Sequence, residues 1–464
     1  MNSAEYAEGH RSWLAAVPIG LWAAAIAVAP SFTAKALLAA PAVMVPLTWW
    51  TLHKPARWVV LFFAAAWLLP PLPVRLGDSG PHVCLFFAAL GLFSGLLWLP
   101  RWRIAPTTLT AAFIALFGAM LASVALAAIH SGAPVAVGSL ARVALFGVPV
   151  YVFFFTAYGP DAPEGLSGVR TLFWIAVASA LIACVDFYFQ LPAPAGYEPQ
   201  FVWLDSGVYR RAQGVFYEAS TLGNFCAFFL VMIAVAWSRP RAEAPVGRKA
   251  LAAGGVVFFA ALVLSYSRGS LINVLVALAV LAWLNRRRIR LGRAAPILAA
   301  GVGAAAFATW KVFPAFAQMY WLRLSAAQNL FSATERVLSG RVASWRMLAS
   351  WMAANPWQTL IGVGYKTLPY NDYLGAPVVA DNMYLSLLVE TGIAGLAAFL
   401  WLNVAILRAA ARASRASSPR TSFLGAWMLC FWAGQVVQML SGDLFTYWRV
   451  LPVYFWVLAL AVRV

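Results

Sequence analysis

Apolar stretches of bilayer-spanning length follow one another along almost the whole chain. A bilayer core about 30 Å thick needs about 20 predominantly apolar residues to be crossed by a helix. Of the 464 residues, 63% are hydrophobic and 10% are charged, whereas a soluble domain carries about 25% charge. The sequence therefore predicts an all-α, polytopic transmembrane bundle of about fourteen helices, with spans near 13–30, 34–52, 57–73, 83–100, 107–129, 140–158, 169–191, 216–237, 249–266, 270–285, 294–314, 382–407, 422–441 and 445–462.

Basic residues are concentrated in short loops that fall on the same side of this bundle. These loops are 53–57, 101–103, 239–249, 286–293 and 408–420. Loops rich in Lys and Arg stay in the cytoplasm, so we expect both termini to be cytoplasmic. The net charge of +18 is thereby explained by topology, and no nucleic-acid partner is predicted.

The opposite, periplasmic side receives three informative connections: 192–215, 265–270 and 315–381. They divide the chain into N-terminal helices (1–191), a central transmembrane region (192–314), a large periplasmic loop (315–381) and C-terminal helices (382–464). In residues 339–354 of the loop, Val342, Trp345 and Leu348 alternate with Arg341 and Arg346. This pattern predicts short amphipathic helices at the membrane interface.

Charged residues cluster on the periplasmic side, where charge at membrane depth is costly. The planar guanidinium group of arginine binds phosphate bidentately, so this set indicates a site for a diphosphate, unless the arginines pair with lipid headgroups or acidic neighbours. Arg268, in the short SYSRGS connection, must lie at the membrane edge, and Gly269 permits a tight turn there. The set comprises Arg210, Arg211, Glu218, Arg268, Arg336, Arg341, Arg346, Lys366, Asp381 and Glu390.

The stretch after Asp381 predicts a helix with a polar stripe. Asn382, Ser386 and Glu390 are four residues apart and so share one helix face, with Glu390 directed into the bundle. Asp381 stands at the helix start, where it either caps free N–H groups or serves as a general base that accepts a proton from a sugar hydroxyl. Both interpretations stay open at this point.

Four segments, in order, resemble the O-antigen ligase and O-antigen polymerase superfamily. RAQGVFYEAS (211–220) is similar to its Arg-Gly-Phe segment, SYSRGS to its Ser-Arg-Gly turn, and SGRVASWRM (339–347) to its Ser-Gly-Arg-Trp stretch. The fourth segment contains Gly362-Val363-Gly364, Asp381-Asn382, Tyr384-Leu385, Glu390, Gly392 and Gly395-Leu396. The resemblance covers roughly residues 211–396.

The resemblance implies a GT-C-like membrane glycosyltransferase that needs neither a metal nor another cofactor. Such enzymes move a glycan from an undecaprenyl-diphosphate carrier to an acceptor hydroxyl on the periplasmic face of the bacterial inner membrane. By motif position, the catalytic residues would be Asp381, Arg268 and Arg341. Substrate-binding residues would be Arg210, Arg211, Glu218, Arg346, Lys366, Asn382 and Glu390. Four cysteines lie in apolar runs without a CxxC pair, and no metal site is predicted.

Two departures from the ligase pattern favour a polymerase of O-antigen or exopolysaccharide repeat units. Ligases that act on lipid A core carry histidine where this chain has Asp381, and Glu218-Ala219-Ser220 is similar to a Glu-Pro-Ser variant of polymerases. The alternatives are a ligase with a core, lipid or protein acceptor, a polysaccharide flippase or transporter, and a scaffold of a synthesis complex. A chain-length regulator or a flippase is an expected partner.

Overall fold

The computed structural model describes residues 3–72, 81–160, 166–194, 196–204, 207–286, 341–370 and 377–463, with a few positions between 310 and 325. Within these ranges the fold is nearly all helical, as predicted. Most of the predicted span 294–314 and most of 315–340 lie outside the described residues. The helices are α1 Ser3–Val28, α2 Phe32–His53, α3 Arg57–Leu68, α4 Cys84–Leu97, α5 Thr108–Ser131, α6 Ala133–Tyr158, α7 Ser167–Phe189, α8 Ala219–Trp237, α9 Arg248–Leu264, α10 Arg268–Leu284, α11 Arg341–Ala354, α12 Pro356–Ile361, α13 Met383–Ser414, α14 Pro419–Gln438 and α15 Leu451–Val462.

The helices match the apolar runs of the sequence. Thirteen of the fourteen predicted spans overlap a helix in the described ranges. Six helical segments there are long and apolar enough to cross a membrane: α5, α6, α7, α8, α13 and α14 with its 3₁₀ extension to Ser441. Five further apolar helical segments in the described ranges are shorter, with 10–17 residues each. The polytopic architecture predicted from the sequence is confirmed.

The interior of the bundle is formed by α8, α14 and α15. Every residue of α15 from Leu451 to Ala461 is buried. Phe228 on α8 packs against Trp427 and Tyr454, with ring centroids 4.4 Å and 4.6 Å away. Inside this apolar core the side-chain amide of Asn224 donates to Gln435 Oε1 at 2.6 Å. Because a buried amide without partners is costly, such bonds fix how the inner helices meet.

A small antiparallel hairpin interrupts the helical pattern before α8. Its strands are β1 Phe201–Leu204 and β2 Gly207–Arg210, with Phe201 opposite Arg210. The sequence analysis treated 192–215 as a connection and did not predict these strands. Both are rich in the β-branched and aromatic residues that favour strands, but runs of four residues are too short to be recognised from periodicity.

Helix α13 is interrupted at Gly392, whose φ of 69° lies in the left-handed region. The Gly362–Gly364 turn docks onto this break: Val363 N donates to Val389 O at 3.1 Å and Gly364 N to Glu390 O at 2.8 Å. The break frees these carbonyl groups from helical bonding, and the turn supplies their donors. Two parts of the family signature, which are about 30 residues apart in sequence, thus form one structural unit.

The predicted short helices of the large loop are present as α11 and α12. Leu348 on α11 is completely buried with Val363, Val378 and Val389 in a second, smaller core. The indole nitrogen of Trp345 donates to Ala380 O at 2.7 Å. These contacts hold α11 against the start of α13 and bring Arg341 beside Asp381.

Candidate functional site

A cavity of about 640 Å³ opens at the end of the bundle where α11 meets α13. Its walls come from α6, the start of α8, α11, the segment before α13, α13 itself and the connection between α14 and α15. Charged side chains from all these segments line it: Arg142, Glu218, Arg341, Lys366, Asp381, Glu390 and Asp443. We call this space the acidic–basic cavity.

At the cavity wall, Arg341 Nε donates to Asp381 Oδ2 at 3.1 Å. The Asp381 side chain keeps 45% of its surface exposed, so a ligand in the cavity can reach the carboxylate. Asn382, not Asp381, caps α13: its Oδ1 accepts from Tyr384 N at 3.0 Å and Leu385 N at 3.1 Å. The capping role considered for Asp381 therefore belongs to Asn382. The other role, that of a general base, stays a prediction for Asp381.

Three arginines from separate motifs lie close enough to interact electrostatically. Arg211 is held by a bond from its Nε to Ser265 O at 2.8 Å. Burial lowers the pKa of Arg211, Tyr447 and Glu218 raise it, and the positive charges of Arg341 and Arg268 lower it further. Arg268 likewise experiences the charge of Arg341. Arg211 and Arg268 therefore lie within electrostatic range of Arg341, which pairs with Asp381, but neither is among the residues that line the acidic–basic cavity. That the three arginines form one site with Asp381 stays a prediction.

The connection that brings Arg268 here turns at a different residue from the one expected. Tyr266 has a positive φ of 52°, whereas Gly269 belongs to the first turn of α10. Tyr266 is buried against Val202 of the hairpin. The turn that the sequence analysis expected at Gly269 thus occurs at Tyr266, a residue that packs against the hairpin.

Deeper in the cavity, an ion pair joins Lys366 to Asp443, with Glu390 beside it. Burial alone would lower the pKa of Lys366, but the carboxylates of Asp443 and Glu390 raise it above its usual value. Arg142 Nη1 donates to Lys366 O at 3.2 Å, and its guanidinium group lies over the Tyr370 ring, 4.6 Å from the centroid. This part of the cavity presents carboxylate and aromatic surfaces together.

The remaining predicted residues have different surroundings. Glu218 lines the cavity, and its carboxylate accepts from Thr221 Oγ1 at 2.6 Å. Arg210 pairs instead with Asp186 of α7 at 3.2 Å, and Arg346 is exposed on α11. Neither of these arginines forms a cavity wall, because one follows the hairpin towards α7 and the other points away from Leu348. Direct substrate contact by Arg210 or Arg346 has no support in this geometry.

The sequence analysis missed Arg142, Asp443 and Tyr447, which also line the cavity. The predicted topology could have identified two of them. It places Asp443, in the connection 441–445, and Arg142, at the start of the span 140–158, on the same side of the membrane as Asp381. A single charge beside a long apolar run was not singled out.

The four cysteines are free. Within the described ranges, no group of three or more His, Cys, Asp or Glu side chains is placed to hold a metal ion.

Comparison with known families identifies the segment that carries most of this site. Residues 253–400 match the family model described as O-Antigen ligase. The match covers less than half of the chain and includes Arg268, Arg341, Lys366, Asp381 and Glu390. It confirms the resemblance that the motifs indicated. No curated protein matches the chain.

Proposed function

Because residues 253–400 carry an O-antigen ligase domain, we propose that this membrane protein transfers a glycan from a lipid-diphosphate carrier to an acceptor hydroxyl. The proposed carrier is undecaprenyl diphosphate, and the proposed working face is periplasmic. The observation that carries the proposal is the pairing of Arg341 with Asp381 in a cavity wall, with Arg211 and Arg268 nearby. Cations and an accessible carboxylate are the two groups that this reaction requires.

The arginines would hold the leaving group. When the bond between the anomeric carbon and the diphosphate oxygen breaks, its electron pair goes to the diphosphate, and preorganised cations stabilise that charge. Two or three guanidinium groups can bind its oxygens bidentately. The cluster of Arg211, Arg268 and Arg341 supplies these donors, and Arg211 is already oriented by Ser265.

Asp381 would act as the general base. The acceptor hydroxyl oxygen forms the new bond to the anomeric carbon while its proton moves to the Asp381 carboxylate. In the structure this carboxylate is neutralised by Arg341. A bound donor diphosphate competes for Arg341, which frees the Asp381 carboxylate to accept a hydrogen bond from the acceptor hydroxyl.

The deeper part of the cavity is suited to sugar binding. Carboxylates of Asp443 and Glu390 can accept hydrogen bonds from sugar hydroxyls, and Tyr370 offers an aromatic face. We propose that the growing or accepting glycan occupies this part, with Lys366 holding the two carboxylates in place.

Among the rival functions, polymerisation of repeat units remains the one that we favour, since Asp381 replaces the histidine of core ligases. The description of the matched family favours the ligase alternative. A transporter is less compatible with the core. Phe113, Phe153 and Phe455 are buried and pack together, with the Phe113 centroid 4.6 Å from that of Phe153 and 4.8 Å from that of Phe455. This part of the described core is apolar and does not provide a polar path.

The reaction is tested with purified protein, a lipid-diphosphate-linked repeat unit and detection of lengthened product. We expect Asp381→Asn to lose at least about 100-fold in turnover, which is the lower range for loss of a general base. Asp381→His should retain a measurable part of the rate, because imidazole can accept the same proton. Arg346→Gln, a variant of an exposed residue on α11, is the control and should keep its rate.

An Asp381→Asn enzyme with unchanged turnover would overturn the role of this residue. Unchanged product formation by both Arg341→Gln and Arg268→Gln would overturn the proposed diphosphate site.

Polymerase and ligase are separated in cells by deleting the gene and complementing it with these variants. Carrier-linked single repeat units should accumulate if the protein is a polymerase. Full-length polymer that is not attached to its acceptor would instead identify a ligase.

A further inference from the structure

A second cavity, of about 970 Å³, lies at the opposite end of the bundle. Helix α6 reaches both cavities: Arg142, near its start, lines the acidic–basic cavity, and Tyr158, at its end, lines the second cavity. Sixteen residues of helix at 1.5 Å each separate these positions by about 24 Å. The second cavity is walled by residues 100–109, the ends of α6 and α15, and residues 409–413 of α13.

Four arginines converge on this second cavity, which we call the basic cavity. They come from three places in the chain: Arg101, Arg103, Arg412 and Arg463. Its walls, as far as the structure describes them, contain no carboxylate. Guanidinium groups from three places in the chain can bind the oxygens of one phosphate-containing anion together.

Local contacts orient two of these guanidinium groups. Arg463 Nη1 donates to Thr156 O at 2.8 Å and Nη2 to Gly159 O at 3.4 Å, at the end of α6. The Arg101 guanidinium lies over the Trp98 ring, 4.1 Å from its centroid. The N-terminus of α5 also reaches the cavity through Thr107 and Leu109, and a helix N-terminus favours negative charge.

The rim of the basic cavity indicates a lipid rather than a free ion. Leu99 and Ile104, which flank Arg101 and Arg103, each expose 56% of their surface. Apolar side chains beside the arginines can receive acyl chains while the guanidinium groups bind phosphate oxygens. A cavity of this volume far exceeds one phosphate group. Basic pockets between transmembrane helices on the cytoplasmic side bind anionic lipid headgroups.

We propose that the basic cavity binds the headgroup of an anionic phospholipid through Arg101, Arg103, Arg412 and Arg463. This site is separate from the acidic–basic cavity and does not depend on the function proposed for it.

Native mass spectrometry of the purified full chain in neutral detergent tests this proposal. The probes are phosphatidylglycerol, its two-phosphate dimer diphosphatidylglycerol, and zwitterionic phosphatidylethanolamine. We expect selective retention of the two anionic lipids. The Arg101→Gln/Arg412→Gln variant should bind them roughly thirtyfold more weakly, at about 1 kcal/mol per arginine. The matched control is Arg408→Gln/Arg415→Gln, which changes two exposed arginines at the same end of α13 that do not line the cavity.

Equal retention of all three lipids, or equal weakening in both double variants, would refute a specific lipid site in the basic cavity. Lipid binding would then be explained by the general positive charge of the surface. Displacement of the lipid by millimolar inorganic pyrophosphate would assign the cavity to a free phosphate compound and overturn the lipid assignment. Each result is independent of glycan transfer, because binding is measured without donor or acceptor.

Discussion

His82 shows how the setting of one residue can link stability to pH. Its Nε2–H donates to Leu69 O at 3.0 Å, and its Nδ1 accepts from Cys84 N at 3.2 Å, an arrangement that only the neutral ring can satisfy. Burial, together with the charge of Arg449, lowers the pKa of His82 to about 4. Between pH 6.5 and about 4, His82 is therefore mainly neutral in the folded protein and mainly protonated in the unfolded chain.

We expect the free energy of unfolding to fall as the pH drops from about 6.5 to about 4. Above pH 6.5 the ring is neutral in both states and this effect is absent. The difference in pKa corresponds to about 3 kcal/mol once the pH is below both values. Thermal unfolding in detergent at a series of pH values measures it. His82→Gln should flatten the profile relative to the exposed control His53→Gln, and parallel profiles would contradict the prediction.

The ion pair of Lys366 and Asp443 gives a second prediction at the scale of residues. Both side chains are at most 15% exposed. Removing one partner of such a pair strands the other charge, at a cost of about 3 kcal/mol. Lys366→Met should lower the unfolding temperature more than Asp443→Asn does, because it leaves two carboxylates facing each other, whereas Lys366 can still pair with Glu390.

Lys54→Met, which removes an exposed lysine, is the control for this comparison and should leave the unfolding temperature nearly unchanged. The reverse order of the two cavity variants would show that Glu390 does not share the charge of Lys366.

Helices were predictable from the sequence because bilayer thickness dictates both their length and their composition. The break in α13 was not, although its residue was quoted in the motif. An isolated glycine in an apolar run reads as a tolerated helix residue. Only the approach of the Gly362–Gly364 turn shows that Gly392 must adopt a positive φ.

We expect Gly392→Ala to destabilise the protein by about 2 kcal/mol or more. A Cβ atom there would lie 2.4 Å from Leu360 O, and the backbone conformation is strained for any other residue. Gly118→Ala in α5 is the control, since a Cβ atom at that position meets nothing within 4 Å and alanine favours a helix. Comparison of the two unfolding temperatures provides the test, and equal values would contradict the constraint.

The candidate site was predictable to the extent that its residues belong to contiguous motifs. Arg341 and Asp381 were found as members of separate motifs, yet their ion pair is visible only in three dimensions. Asp443 and Arg142 were missed because each is a single charge beside a long apolar helix. Arg210 was grouped with Arg211 by adjacency, but successive residues leaving a strand point in opposite directions, and Arg210 turns to Asp186 instead.

For the molecule as a whole, the two cavities predict which groups meet the two sides of the membrane. The native cysteines should react little with a thiol reagent, since Cys184 is half-buried and the other three are buried. Val379→Cys, beside the acidic–basic cavity and 63% exposed in the native side chain, should react with an impermeant thiol reagent in intact cells whose outer membrane is opened. Ser417→Cys, in the connection between α13 and α14, should react only after the inner membrane is permeabilised.

The opposite labelling pattern would place the cavity on the cytoplasmic side and remove the periplasmic part of the proposed function.

The pairing of Lys366 with Asp443 also restricts the evolutionary paths open to this chain. The two positions are 77 residues apart and belong to different connections, yet loss of Lys366 alone leaves the carboxylates of Asp443 and Glu390 facing each other. Lineages that lose the lysine should therefore also lose the aspartate, and a reversal of sign at one position should accompany a reversal at the other. Across an alignment of relatives, positions 366 and 443 should covary although the chain separates them widely.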